Sequence, residues 1–266
     1  MLWKLTRVPE PEVMDDTEEV ESYASAAAAR HLDAIDNTFV EHLLRLLPNE
    51  PATERNDIDM SFRRHRETLV QKTRNRDLGG QGTQALSNFE RALDVGTGPA
   101  QIPIKILLRI PRLRFIGLDR SRAMLASARR NAEQAGVSDR LSLLAGDGHS
   151  LPFPDHAFAM VICNSVLHHA REPVELLREL FRVAAPGAPV LLRDLRRPSR
   201  PFLSWHLWRH GRRYDGLMRQ LFKDSVRAAY TLAELEGFLD PVQRSGARVF
   251  RFRGAHIGIE KPGVRD

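Results

Sequence analysis

From residue 91 onward the chain alternates short β-favouring runs with helical patterns, and this alternation restricts the fold more than any other feature. The runs are Arg91–Val95, Arg114–Leu118, Leu141–Leu144, Ala159–Cys163 and Pro189–Leu192. Helical periodicity falls between them, near Ile102–Arg109, Ser121–Ala135 and Pro173–Val183. A strand that returns to its sheet through a helix pairs in parallel by a right-handed crossover. The tail departs from that rhythm. Trp205–Phe222 and Leu232–Leu239 read as helical, and Arg248–Arg253 with His256–Glu260 read as a strand pair joined at Gly254–Ala255. The expectation is an α/β chain with a mostly parallel sheet that ends in an antiparallel hairpin.

Upstream, the stretch from Thr17 to Leu47 is acidic, then alanine-rich, then amphipathic. Ile35, Phe39, Leu43, Leu46 and Leu47 recur at helical spacing until Pro48 stops the pattern, which predicts two N-terminal helices. Phe62–Thr73 reads as a basic helix, and "DLGGQGTQ" after it as a glycine-bearing loop and boundary. The organisation expected is an N-terminal helical cap and linker over residues 1–88, with Tyr23 and the helices covering a ligand, and a main α/β domain over residues 89–266.

Composition narrows the classes. A chain of 266 residues can bury one substantial core. Its apolar runs, such as Ile102–Leu108, fall well short of the ~20 residues that span a bilayer, and the N-terminus turns acidic and proline-bearing where an export signal needs an apolar core. A soluble cytoplasmic protein is expected. The single cysteine, Cys163, excludes an internal disulfide and a cysteine-built zinc site and reads as a small core residue, and no metal is expected. Forty Lys+Arg against thirty-four Asp+Glu leave a net charge of +6, mostly arginine and spread along the chain, so nucleic acid is disfavoured as a partner.

The sharpest local signal is "ALDVGTGPA", Ala92–Ala100, where an apolar strand runs through a glycine loop into a helix. Gly96 and Gly98, flanking Thr97, let the backbone turn tightly and a ligand approach the main chain. A diphosphate-gripping loop would carry a third glycine where Gln101 stands. Asp94, just before the loop, would repel a pyrophosphate and suits a ligand bearing a cationic amine and sulfonium. Asp119 ends "FIGLDRS" as a two-pronged acceptor for ribose hydroxyls, followed by Arg120, and Met124 is placed to pack on an adenine face. Asp147 ends the third strand run in "LLAGDGHSLPFPDHAF", where it can accept the adenine amine while the Gly148 and His149 main chain lines the base. "AMVICNSVLHH" then brings Asn164 to the edge of the fourth strand.

Together these segments resemble the class I S-adenosylmethionine-dependent methyltransferase family, in particular the small-molecule branch that includes ubiquinone and menaquinone biosynthesis methyltransferases. The resemblance runs from about Arg91 to Arg197 through "LDVGTGP", "GLDRSRAMLASARRNA", "GDGHSLPFPDHAFAMVICNSVLHH" and "LRELFRVAAPGAPVLLRDL". It implies a Rossmann-like seven-stranded sheet, S-adenosyl-L-methionine as cofactor, and Asp94, Gly96, Gly98, Asp119, Asp147 and Asn164 as cofactor contacts. Ala100 departs from the family, since many relatives carry a further glycine there; this narrows the loop without closing it. The tail "RVFRFRGAHIGIEK" matches the family's terminal strands poorly.

Methyl transfer from a sulfonium is an in-line displacement on an activated carbon, so alignment and exclusion of water are the protein's main tasks. His168 is the candidate catalytic base for a hydroxyl or thiol acceptor, and His169 stands beside it near the acceptor. Arg193, at the end of the fifth strand, and Trp205, in the Trp/Arg-rich segment after it, are candidates for binding an acidic group and stacking on an aromatic acceptor. The same segment can rest on a membrane surface. A small-molecule acceptor is favoured. The rivals are a nicotinamide oxidoreductase, disfavoured by Asp94 and Gln101, an RNA methyltransferase, whose common N/D-P-P-Y/F motif is replaced by Asn164-Ser-Val-Leu, and a non-catalytic relative.

Overall fold

The computed structural model describes residues 5–10, 26–47, 90–214, 216–242 and 246–264. The predicted basic helix at Phe62–Thr73, the glycine-bearing loop after it, Tyr23, the first of the two N-terminal helices and the boundary between residues 88 and 89 lie outside the described residues. Met1–Leu47 and Glu90–Asp266 belong to one compact unit.

In chain order the elements are α1 (Ala26–Leu46), β1 (Glu90–Val95), α2 (Gln101–Arg109), β2 (Leu113–Asp119), α3 (Arg122–Ala135), β3 (Leu141–Ala145), β4 (Met160–Asn164), α4 (Pro173–Val183), β5 (Val190–Leu195), α5 (Leu203–Gly211), α6 (Gly216–Ala228), α7 (Leu232–Leu239), β6 (Arg248–Phe252) and β7 (His256–Lys261). The strands form one seven-stranded sheet in the order β3-β2-β1-β4-β5-β7-β6. The first five pair in parallel, and β7 runs antiparallel between β5 and β6. The expected architecture is therefore observed, including the terminal hairpin.

Strand alternation divides the core between the two faces. Leu93 and Val95 of β1, Val161 and Cys163 of β4, and Val190 and Leu192 of β5 pack with Leu176, Leu177 and Leu180 of α4 on one face. Ala92, Met160, Ile162 and Leu191 pack on the other face with Phe39 and Leu43 of α1, Ile106 and Leu107 of α2 and Ala128 of α3. Each side chain points opposite to its chain neighbours, so Arg193 falls on the α1 face with Leu191 and Asp194 falls on the α4 face with Leu192. Helix ends follow local chemistry: Ser121 caps α3 by accepting from the Met124 amide, Gly136 ends it in the left-handed region, and Thr231 with Glu234 forms a capping box on α7.

The helical stretch expected over Trp205–Phe222 is corrected to two helices. The chain breaks between Gly211 and Gly216, whose φ of +51° is left-handed. A Cβ on Gly211 would come within 3.0 Å of the Phe222 ring, so the glycine permits the close crossing of α5 and α6. The hairpin turns at Arg253 and Gly254, both at positive φ, which ends β6 at Phe252. Among the described residues no helix is long and apolar enough to cross a membrane.

Candidate active site

The strand order reverses between β1 and β4, and open α/β sheets collect ligands at the carboxyl ends flanking such a point. The loop after β1 is built for close approach. The Gly96 and Thr97 amides both donate to the Leu118 carbonyl, at 2.7 and 3.0 Å, which ties the loop to β2. Gly96 has φ +72°, and a Cβ there would meet Val166 Cγ2 at 2.1 Å. Gly98, at φ +51°, has open space where its Cβ would stand, and its amide donates to Asp119 Oδ2 at 2.7 Å. Ala100 also adopts φ +60°, so the loop keeps the left-handed turn without the glycine many relatives carry.

Four carboxylates surround this loop. Asp94 is almost fully buried, and burial pushes its pKa up to about 7, with the charges of Asp119 and Asp36 adding in the same direction. Asp36, on α1, is raised to about 6 by burial, although Lys105 and Arg193 oppose the rise. Asp119 accepts from the Gly98 and Ser121 amides, one on each oxygen, which fixes the carboxylate at the cavity. Asp147 accepts from the His149 amide at 2.9 Å and the His149 ring at 2.8 Å, and from Arg120 at 3.1 Å. Burial works to raise its pKa, but these hydrogen bonds and the Arg120 charge together hold it below the ordinary carboxylate value.

A single cavity of about 820 Å³ opens on these groups and extends past them. Its far wall combines Leu32 and Ile35 of α1 with Tyr214, Met218 and Phe222 around the α5–α6 crossing, and with His168, His169 and His256. His168 is clamped by Asp194, whose carboxylate accepts from its amide at 3.0 Å and lies 2.6 Å from its Nδ1. Burial works to lower the His168 pKa, yet the Asp194 and Glu10 charges bring it above the usual histidine value. Burial, with the Arg193 charge adding to it, drives the His256 pKa down to about 3, so this ring is neutral near pH 7.

Known proteins resemble this chain in sequence and fold. A sequence profile of the methyltransferase domain family matches residues 93–192. The chain is 25% identical to the ubiquinone/menaquinone biosynthesis C-methyltransferase of Cereibacter sphaeroides, over 64% of this chain and 71% of that one. It is 30% identical to the demethylmenaquinone methyltransferase of Roseiflexus sp., over 62% of this chain and 67% of that one. The chain belongs to the class I S-adenosylmethionine-dependent methyltransferase family. The solved plantazolicin methyltransferase shares the fold, with a TM-score of 0.52 at 14% identity over 65% of this chain and 77% of that one. The protein is thus an S-adenosylmethionine-dependent methyltransferase of the ubiquinone-like branch.

Most residues singled out in the sequence meet in this methyltransferase's cavity. Asp94, Gly96, Thr97, Gly98, Asp119, Arg120, Met124, Asp147, Gly148, His149 and Asn164 line its strand-tip end, and His168 and His169 line its far end. Arg193 and Trp205 are not brought there. Arg193 lies behind the cavity wall on the α1 face, fully buried, where it donates to Thr38 Oγ1 at 2.9 Å, the Ile35 carbonyl at 3.0 Å and Asn164 Oδ1 at 3.4 Å and packs on Phe39 and Phe252. It holds α1 to the sheet and is not placed to touch an acceptor. Trp205 is 57% exposed on α5, away from the cavity lining.

Two contributors were missed in the methyltransferase sequence. Asp36 had a signal: it occupies a position of the apolar stripe Leu32, Val40 and Leu43, where an acid is out of place unless it faces a site. Glu10 had none. It reaches His168 across 158 positions because Arg7 donates to the His168 and Ala228 carbonyls and the Val8 amide donates to the Arg227 carbonyl.

Proposed function

We propose that the strand-tip end of the cavity binds S-adenosylmethionine and that the far end holds a small apolar, ring-bearing acceptor for its methyl group. The observation that carries the reading is the buried Asp94, a carboxylate whose pKa stands at about 7 because burial outweighs the Thr97 hydrogen bond and no cationic group among the described residues offsets it. A sulfonium and an α-amino group supply that positive charge. The fit extends along the crevice. Asp119, held by two amides, accepts the ribose hydroxyls, Gly98 lets the ligand meet the main chain, and Asp147 accepts the adenine amine. Met124, Gly148 and His149 enclose the base, and the buried His149 Nε2 has no hydrogen-bond partner among the described residues.

The cofactor, when bound, supplies an activated methyl carbon; the chain's own task is to place the acceptor in line with it and keep water out. Leu32, Ile35, Tyr214, Met218 and Phe222 give the acceptor end an apolar wall suited to a ring. The named substrates of the relatives, ubiquinone and menaquinone precursors, are of that chemistry. His168, held by Asp194, is the residue we assign to activation of the acceptor atom. A cytoplasmic setting goes with this reading, supported by the single buried cysteine.

Calorimetric titration with S-adenosylmethionine and NADH tests the cofactor assignment, with tight binding of NADH alone as the result that overturns it. Asp119→Ala should weaken S-adenosylmethionine by about 1–3 kcal/mol, the range for hydrogen bonds to a charged group. Labelled methyl transfer to metabolite fractions and to total RNA tests the acceptor class, and label found only in RNA would displace the small molecule.

A further inference from the structure

Three ligand-type atoms converge where His168 and His169 line the cavity and Glu10 stands behind them. Glu10 Oε2 lies 3.6 Å from His168 Nε2 and 3.6 Å from His169 Nδ1, and the three atoms fall within 4.8 Å of one another. These separations are too long for the ~2.7–3.2 Å of an N–H···O hydrogen bond. They are close to the ~3.3 Å that separates neighbouring ligands around a tetrahedral ion with metal–ligand distances of ~2.0–2.1 Å. Among the described residues the buried Glu10 Oε2 has no hydrogen-bond partner, while its other oxygen accepts from Ser225 Oγ at 3.2 Å.

The back of the cluster matches a metal centre as well. Asp194 sits 2.6 Å from His168 Nδ1, which turns the other ring nitrogen, Nε2, toward the Glu10 oxygen. The Glu10 carboxylate and the two imidazoles thus each present one ligand atom to a common point. A carboxylate behind a ligating imidazole fixes ring orientation and raises its basicity. The carboxylate partner arrives on a segment pinned by Arg7, whose guanidinium donates to the His168 carbonyl at 2.7 Å.

We propose that Glu10, His168 and His169 form a three-ligand site for a divalent transition-metal ion, with Asp194 orienting His168 and the open coordination position facing the cavity. Two imidazoles and one carboxylate favour zinc, iron(II), manganese or cobalt over calcium. The ion would hold an oxygen of the acceptor, a role that rests on the acceptor placement above; the binding of the ion does not. His168 then contributes as a ligand and not as a lone base.

The full-length protein, stripped with EDTA, is dialysed against Zn²⁺, Mn²⁺, Co²⁺ or Mg²⁺, and bound metal is counted by mass spectrometry alongside thermal unfolding and the visible spectrum of the Co²⁺ form. About one equivalent of Zn²⁺ or Co²⁺, a melting point raised by several degrees and Co²⁺ bands in the visible are expected, with Mg²⁺ much weaker. Glu10→Gln and His169→Gln should each lower affinity at least about tenfold, and Asp194→Asn about 10–100-fold. A His210→Ala control, at a histidine outside the cluster, should bind as wild type. Wild-type protein that takes up no ion, or variants that bind it unchanged, would overturn the proposal, and the wild-type count decides even where a variant fails to fold. S-adenosylmethionine titrated into the metal-stripped protein separates the two readings: binding there with no metal uptake sinks the metal site alone.

Discussion

The two ends of the cavity are built in different ways. The strand-tip end takes its groups from the ends of β1, β2 and β4 and the loop after β3, and each sits within a few residues of the turn that places it. The far end adds groups from α1, the α5–α6 crossing and β7 to the His168–His169 turn, which is tied down by Asp194 and Arg7. A sheet edge fixes positions through backbone hydrogen bonds, so the first end tolerates sequence change elsewhere. The second end depends on tertiary anchors, and those anchors are where it can be broken.

Arg193 is the anchor with the largest expected effect. Its guanidinium donates to Thr38 and to the Ile35 carbonyl and lies close enough to Asp36 to pull down that acid's pKa. Arg193→Ala should destabilise the fold by about 3–5 kcal/mol in denaturant unfolding, because it strips a buried charge from partners that stay buried. Arg193→Met, which keeps apolar contact with Phe39 and Phe252, should recover much of the loss. If the alanine variant unfolds like wild type, α1 is not held by this contact and the comparison fails at its acceptor end.

Gly96 tests the other end. Its φ of +72° disfavours any side chain, and an added methyl would collide with Val166 Cγ2 at 2.1 Å. Gly96→Ala should cost about 2–5 kcal/mol, the sum of left-handed strain and overpacking. Adding Val166→Ala should return the overpacking part and leave the strain. Equal stability of the single and double variants would show that Val166 is not what closes the loop.

Electrostatics separates the ends next. Burial holds Asp94 at a pKa of about 7, above the ~3.9 of an unfolded aspartate, so its proton-bound form stabilises the ligand-free fold. That contribution is complete below about pH 4 and disappears as pH rises through 7. A cationic ligand reverses the preference, since it favours the ionised acid. S-adenosylmethionine affinity should therefore fall by up to about tenfold for each pH unit below 7 and level off above it. The carboxyl of Asp36, raised to about 6, works in the same direction. Asp94→Asn should bind more weakly at pH 8 and lose most of the slope in calorimetry; a slope that survives the substitution would assign it to another group.

The same division explains what the sequence made legible. The order of strands, the glycine loop, Asp94, Asp119, Asp147 and Asn164 were readable because each is a local event: an apolar run, then a polar tip at its end. The terminal hairpin was readable from alternating runs around Gly254. The break at Gly211–Gly216 was hidden, since helical residues continue on both sides and only the Gly211–Phe222 approach requires it. Arg193 and Asp194 are neighbours that strand alternation sends to opposite faces, and the sequence alone does not say which of them meets α1 and which meets His168. Glu10 meets His168 only because the chain folds back, so no spacing could announce it.

The smallest effect belongs to the residue that the sequence placed in the acceptor site and the structure leaves outside. Trp205 is 57% exposed, beside Phe202 and Trp208 at 61% each, so its removal empties no core. Trp205→Ala should change stability by no more than about 0.5 kcal/mol, as exposed positions without special contacts do. S-adenosylmethionine affinity should stay at the wild-type value, because Trp205 is not among the residues that line the strand-tip end. Turnover on a water-soluble acceptor should also be unchanged, since the ring does not line the cavity. A marked drop in that turnover would mean that α5 folds inward when the acceptor binds, and the far end would then owe its shape to the ligand as well as to Arg193.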